Sequence, residues 1–96
     1  MKPFTWDPRK NQKLIEERGI SFEMILWSIQ SGGLLEIIEH PNPKKYPGQK
    51  IMVVRAMDYV FLVPFEETGD EVKLKTIIPS RKAVRDHMQK RGEHEK

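Results

Sequence analysis

The stretch Leu74-Lys75-Thr76-Ile77-Ile78-Pro79-Ser80-Arg81-Lys82-Ala83-Val84 reads as a strand that runs directly into a helix. Residues 72–78 set Lys73 and Lys75 against Val72, Leu74 and Thr76, the alternation of a strand. Pro79 has no N–H for a ladder and ends it. Ser80 is a good N-cap, and Ala83, Val84, His87 and Met88 follow at helical spacing. Arg81 and Lys82 then fall in the first helical turn, where the helix dipole disfavours cations by roughly 0.3–1 kcal/mol each. A position that breaks a local rule is a candidate functional position. Two cations, the free N–H groups of a helix start and Lys75 on the incoming strand make an anion site, with phosphate as the obvious guest. A solvated basic turn that binds nothing is the competing reading.

Before this stretch, Ile51 to Ala56 and Tyr59 to Phe65 read as a hairpin about Met57-Asp58, and Leu34 to Glu39 as an earlier strand. Both faces of the hairpin look apolar, so helices are expected over one face and a partner over part of the other. Tyr59 and Phe61 are the candidate protein-binding residues. Between the strands, residues 40–50 hold three prolines and a glycine, a stiff loop in which Lys44, Lys45 and Tyr46 suit a phosphate and a stacked base. A plain connecting loop is the alternative.

The N-terminal third is helical. Asp7-Pro8 pairs an acidic N-cap with proline at the first helical position, which starts a helix over about 8–18 that Gly19 ends. Its apolar content is thin, so it lies on the surface. Ser21 caps a second helix, with Ile20 and Ile25 placed as a hydrophobic staple. Phe22, Ile25, Leu26 and Ile29 form its core stripe; Trp27 lies off that stripe, as a rim residue or a partner contact. Ser31-Gly32-Gly33 closes it. The expected fold class is α+β: two N-terminal helices and one C-terminal helix packed on a small antiparallel sheet of about four strands. One domain spans 1–96, with 91–96 a frayed tail.

The 96 residues suffice for one core. There is no cysteine, which excludes disulfides and thiolate metal sites. The start has no apolar signal segment and no apolar run is long enough for a bilayer, so a cytoplasmic protein without membrane contact is expected. The net charge of +3 is modest, but the cations gather in residues 40–58 and 71–96, the pattern of a polyanion-binding face. P-loop, HExxH and nucleophile-elbow motifs are absent. His40, His87 and His94 show no ligand spacing, so neither metal nor cofactor is expected. The chain does offer Arg55, Lys73, Lys75, Arg81, Lys82 and Arg85. RNA needs little more to be cut, because its 2′-OH is the nucleophile and the enzyme supplies alignment and charge neutralisation.

Two segments resemble the BrnT-type toxins. Trp6-Asp7-Pro8-Arg9-Lys10 followed by Gly19-Ile20-Ser21-Phe22-Glu23 is similar to that family's W-D-P-x-K … H-G-[IV]-S-F-E pattern, with matching spacing from Trp6 to Gly19. Ile77-Ile78-Pro79-Ser80-Arg81-Lys82-Ala83 looks like its I-I-S-A-R-[RK]-A segment. Leu14 stands where the family usually has Asn, and Glu17-Arg18 where it has Lys-His. The resemblance implies a RelE-like fold, ribonuclease activity that arrests translation, and a cognate antitoxin, often with a ribbon-helix-helix domain. The combined expectation is a metal-independent ribonuclease toxin, with Arg81 and Lys82 on the phosphate and Arg55 and Lys75 in support. Lys44, Lys45, Tyr46, Lys73 and Arg85 are the expected nucleic-acid contacts, and a homodimer is a further expected partner state. The alternatives are a non-catalytic nucleic-acid-binding domain and a small protein-interaction module.

Overall fold

The longest strand, β4 (Tyr59–Glu67), carries a proline at position 64, and the last part of the sheet is shaped by it. The Lys75 N–H donates to the Pro64 carbonyl at 2.8 Å, but Pro64 has no N–H to return. The expected strand over 72–78 accordingly divides into β5 (Val72–Leu74) and β6 (Ile78–Pro79), both antiparallel to β4. Phe65 faces Leu74 and Leu62 faces Ile78, so the second segment holds one more residue than β4 does over the same span. That extra residue lets Leu74 and Ile77 both enter the same core. Pro79 is the last strand residue, one position beyond the expected strand end.

The computed structural model describes residues 2–89; the expected frayed tail at 91–96 lies outside them. The chain is α+β. The sheet runs β1–β5–β4–β3–β2, with β6 also on β4, where β1 is Phe4–Thr5, β2 is Leu34–Glu39 and β3 is Gln49–Ala56. It has six strands rather than about four because the last strand is divided and because Phe4–Thr5 adds a short parallel pairing to β5. Helices α1 (Pro8–Arg18) and α2 (Phe22–Gln30) have the expected bounds. The Asp7 side chain accepts from Arg9 N–H, Gly19 closes α1 at φ 67°, and Ser21 accepts from Met24 N–H. Ile20 and Ile25 are both buried, where a staple across the α2 N-terminus places them.

Alternation along β3 and β4 sends side chains to two faces, and each face has its own cover. Met52, Val54, Phe61, Val63 and Phe65 pack with Leu14, Phe22 and Ile25 under α1 and α2. Val53, Val60 and Leu62 pack with Ala83, Val84 and Met88 under α3 (Arg81–Val84) and the π-helical turn Arg85–Gln89 that continues it. This corrects the expectation of an open hairpin face. Phe61 is 7 % exposed in the main core, and half-buried Tyr59 meets it edge-on at 5.6 Å, so neither stands on an open hairpin face. The apolar surface that does stay open is at the sheet edge. All six residues of β2 are exposed, Leu34, Leu35, Ile37 and Ile38 among them, and among the described residues β2 has a strand neighbour on one side only. Between this edge and α2 runs a groove of about 720 Å³, walled by Leu26, Ile29, Ile37, Met52 and Phe65.

Among the described residues no helix is long and apolar enough to cross a membrane.

Candidate nucleic-acid interface

Strand register decides which of the expected site residues meet. Arg55 pairs with Val60, and the Val60 carbonyl accepts the Ser80 N–H at 3.0 Å. Arg55, Val60 and Ser80 therefore form one row across the sheet, and Ser80 is the N-cap whose hydroxyl accepts the Ala83 N–H at 3.1 Å. Arg55 shares the face of Val53, the face that α3 covers. Ala83 turns into that face, while Arg81, Lys82 and Arg85 are exposed on the first turns of α3 and its π-helical continuation. Arg55 thus lies two strands from Arg81 and Lys82, roughly 10 Å at ordinary strand spacing. Among the described residues Arg81, Lys82 and Arg85 form no ion pair, and Arg55 reaches Asp58 only at 4.0 Å.

Lys75 does not join this group. It pairs with Pro64, four residues along β4 from Val60, which is roughly 14 Å at strand rise. Its Nζ lies 3.9 Å from Glu66 Oε1, and Lys73 stands directly opposite the same Glu66. The expected contribution of Lys75 to the Arg81–Lys82 phosphate site is corrected accordingly: register carries it to the other end of the sheet, where a carboxylate faces it. The cations form two groups, one around Arg55 and α3, the other around Lys73, Lys75 and the 40–48 loop.

That loop is more ordered than a plain connector. The Asn42 carbonyl and side chain accept from the Tyr46 and Lys45 N–H groups, and Gly48 turns the chain at φ 77°. His40 lies 4.4 Å from the Tyr46 ring centre and Lys45 Nζ 5.4 Å from it. Tyr46 is thus engaged by two side chains of its own loop. Lys44 is exposed.

Three features were not evident in the sequence. The Arg18 guanidinium donates to the Ile77 carbonyl at 2.7 Å, tying the end of α1 to the gap between β5 and β6. His87 places Nε2 2.8 Å from Glu36 Oε2 and so links the π-helical turn to β2. Met57 and Asp58 adopt φ values of 53° and 58°. A two-residue turn with both φ values positive favours Asn-Gly, so the Met-Asp dipeptide gave no sign of this backbone conformation. Among the described residues no three His, Cys, Asp or Glu side chains gather as a metal site. Comparison with protein-family models, with curated proteins and with solved structures finds no match for the chain.

Proposed function

We propose that this chain is the toxin of a type II toxin–antitoxin pair, a metal-independent ribonuclease that cuts RNA and arrests translation. The motif resemblance at Trp6–Glu23 and Ile77–Ala83 suggests the class. The observation that carries the reading is the Arg55–Val60–Ser80 row, which sets Arg55 beside the helix start bearing exposed Arg81 and Lys82. Exposed Arg81 and Lys82, which form no ion pair among the described residues, together with Arg55, whose Asp58 partner stands at 4.0 Å, suit a phosphodiester. The substrate 2′-OH attacks the adjacent phosphorus, the P–O5′ bond breaks, and a 2′,3′-cyclic phosphate and a 5′-OH result. The cations offset the charge that builds on the phosphoryl oxygens, and bidentate arginine holds the phosphate in line.

The proposed antitoxin contact is the β2 edge with its apolar groove. An added strand would complete the β2 ladder while apolar side chains fill the groove. A second copy of the chain is the competing occupant, in a homodimer.

The test is expression without the neighbouring gene product, at matched levels for the parent and Arg81→Ala. The parent slows growth and translation and leaves cyclic-phosphate RNA ends; Arg81→Ala does neither. An equally folded, equally toxic Arg81→Ala removes the site assignment. A parent that binds RNA and leaves it whole replaces the ribonuclease by a non-catalytic binding domain.

A further inference from the structure

The Arg55 group borders a second feature, a shallow cleft of about 310 Å³ at the end of the sheet where α2 stops. Its lining includes Trp27, Arg55, Met57, Asp58 and the Gly32-Gly33 turn. The volume is at the small end of ligand sites, which run roughly 300–1,000 Å³. Trp27 is 69 % exposed and Met57 57 % exposed, although both are large apolar side chains.

The cleft is held rigidly. The Gly33 N–H donates to the Ser28 carbonyl at 2.7 Å, and the Gly33 carbonyl accepts the Arg55 N–H at 2.8 Å. A Cβ at Gly33 would stand 2.5 Å from the Arg55 carbonyl oxygen and 2.8 Å from that of Ser28, so only glycine lets the two backbones approach. This contact joins the last turn of α2 to β3 and sets the backbone carrying Trp27 against the backbone carrying Arg55. On the far wall, the left-handed conformation of Met57 is rare for a bulky residue, and such strain concentrates at ligand sites.

We infer that Trp27 is a base-stacking platform, and that this cleft takes one nucleobase of a single-stranded RNA whose adjoining phosphate lies on Arg55. An exposed indole, a flanking methionine and an arginine match a base face and the anion attached to it. Stacking on Trp27 tolerates any base, because each has a π-face, so the cleft positions RNA rather than reading its sequence. The inference rests on the RNA reading above and adds the residue that holds the base beside the phosphate.

The probe is a six-nucleotide oligoadenylate carrying 2′-O-methyl at every position, which cannot be cleaved through its 2′ oxygen. Affinity and tryptophan emission are measured across a salt series for the parent, Trp27→Ala, Trp27→Phe and Arg55→Ala. The parent binds with quenched emission. Trp27→Ala binds roughly 5- to 150-fold more weakly with an unchanged salt slope, since stacking releases no counterions. Trp27→Phe retains part of the affinity and loses the quench, leaving only Trp6, which is stacked on Phe22. Arg55→Ala lowers the slope itself. Full affinity in both Trp27 variants, with no quench in the parent, overturns the stacking platform and leaves the RNA reading standing. Failure of the parent to bind at low salt overturns both. Intact RNA binding by Trp27→Ala together with failed co-purification of the neighbouring gene product overturns the platform and makes Trp27 a protein contact.

Discussion

The Arg18 guanidinium and the Ile77 carbonyl, 59 residues apart in sequence, meet at 2.7 Å. Ile77 lies between the two segments that pair with β4, immediately before the strand end that leads to Ser80 and α3. Arg18 therefore anchors the chain just ahead of the proposed phosphate-binding turn, while its charge sits favourably at the C-terminus of α1. Replacing it leaves a partly buried carbonyl without this charged donor, a loss of about 1.5–3 kcal/mol by the usual range for such bonds. Arg18→Met is expected to lower the thermal midpoint and speed amide exchange at residues 75–80. The proposed RNA cleavage should fall with it. Unchanged exchange in that segment would show that the bond anchors nothing.

The Asn11 side chain satisfies two groups across the α1–α2 corner. Its Oδ1 accepts the Phe22 N–H at 2.8 Å, one of the orphan donors at the start of α2, and its Nδ2 donates to Glu23 Oε1 at 2.8 Å. Asn11→Ala should cost about 1–3 kcal/mol because the Phe22 N–H is buried. The pH dependence has a definite sign. The Asn11 hydrogen bond, followed by the backbone N–H of Glu23 itself, holds the Glu23 carboxyl below its ordinary value of 4.5. A depressed carboxylate stabilises the fold above its unfolded pKa and loses that contribution as pH falls through the folded one. Thermal melts of the parent should thus show a loss below about pH 4.5 that is smaller in Asn11→Ala. Parallel pH profiles would count against the Glu23 bond.

The elements that local chemistry specifies were legible in the sequence. Asp7-Pro8 and Gly19, Ser21, Ser31-Gly32-Gly33, Met57-Asp58 and Ser80 each mark a boundary that the structure has. What depended on register was not. The interruption after Leu74 comes from Pro64 on a different strand, and no pattern within residues 72–78 contains it. The same distance effect separates Lys75 from Arg81, six residues away in sequence, and brings Arg55 to Ser80 across β4. Two apolar faces also read alike until the third helix is placed, which is why Phe61 looked outward.

Phe61 and Ile37 make the partner surface testable. Phe61→Lys would bury a charge in the main core and should unfold the chain. Ile37, 51 % exposed on the β2 edge, should accept lysine with little change in thermal midpoint. Ile37→Lys is expected to abolish co-purification with the proposed antitoxin, or the concentration-dependent sedimentation of the chain itself if a second copy is the occupant. A folded Ile37→Lys that keeps both properties would clear the β2 edge of any role.

The 40–48 loop gives a graded prediction for RNA binding. Removing one cation that sits on a phosphate of a single strand lowers the log–log salt slope by roughly 0.7. Lys44 is exposed, whereas Lys45 sits against the Tyr46 ring. Lys44→Ala should lower the slope and Tyr46→Ala should scarcely change affinity, because that ring is covered by His40 and Lys45. A large affinity loss in Tyr46→Ala with the loop intact would make Tyr46 a stacking residue after all.

The Met57-Asp58 turn sets stability against function. Both residues hold positive φ, at 53° and 58°, and the turn that needs this is best made by Asn-Gly. Left-handed backbone at a non-glycine residue costs on the order of 1–3 kcal/mol, least for Asp and more for Met. The double change Met57→Asn and Asp58→Gly should relieve that strain, with a gain of about 1 kcal/mol after the entropy of the added glycine is subtracted. It also removes the Met57 wall of the Trp27 cleft and the carboxylate that stands 4.0 Å from Arg55. The variant is therefore expected to melt higher and to quench Trp27 less on binding RNA, while Arg55 keeps the phosphate. Measuring midpoint and quench on the same preparation separates the two effects. A variant that melts lower would mean that Met57 packs on the chain more than its exposure suggests, and one that melts higher with the full quench would mean that Met57 is dispensable to the cleft.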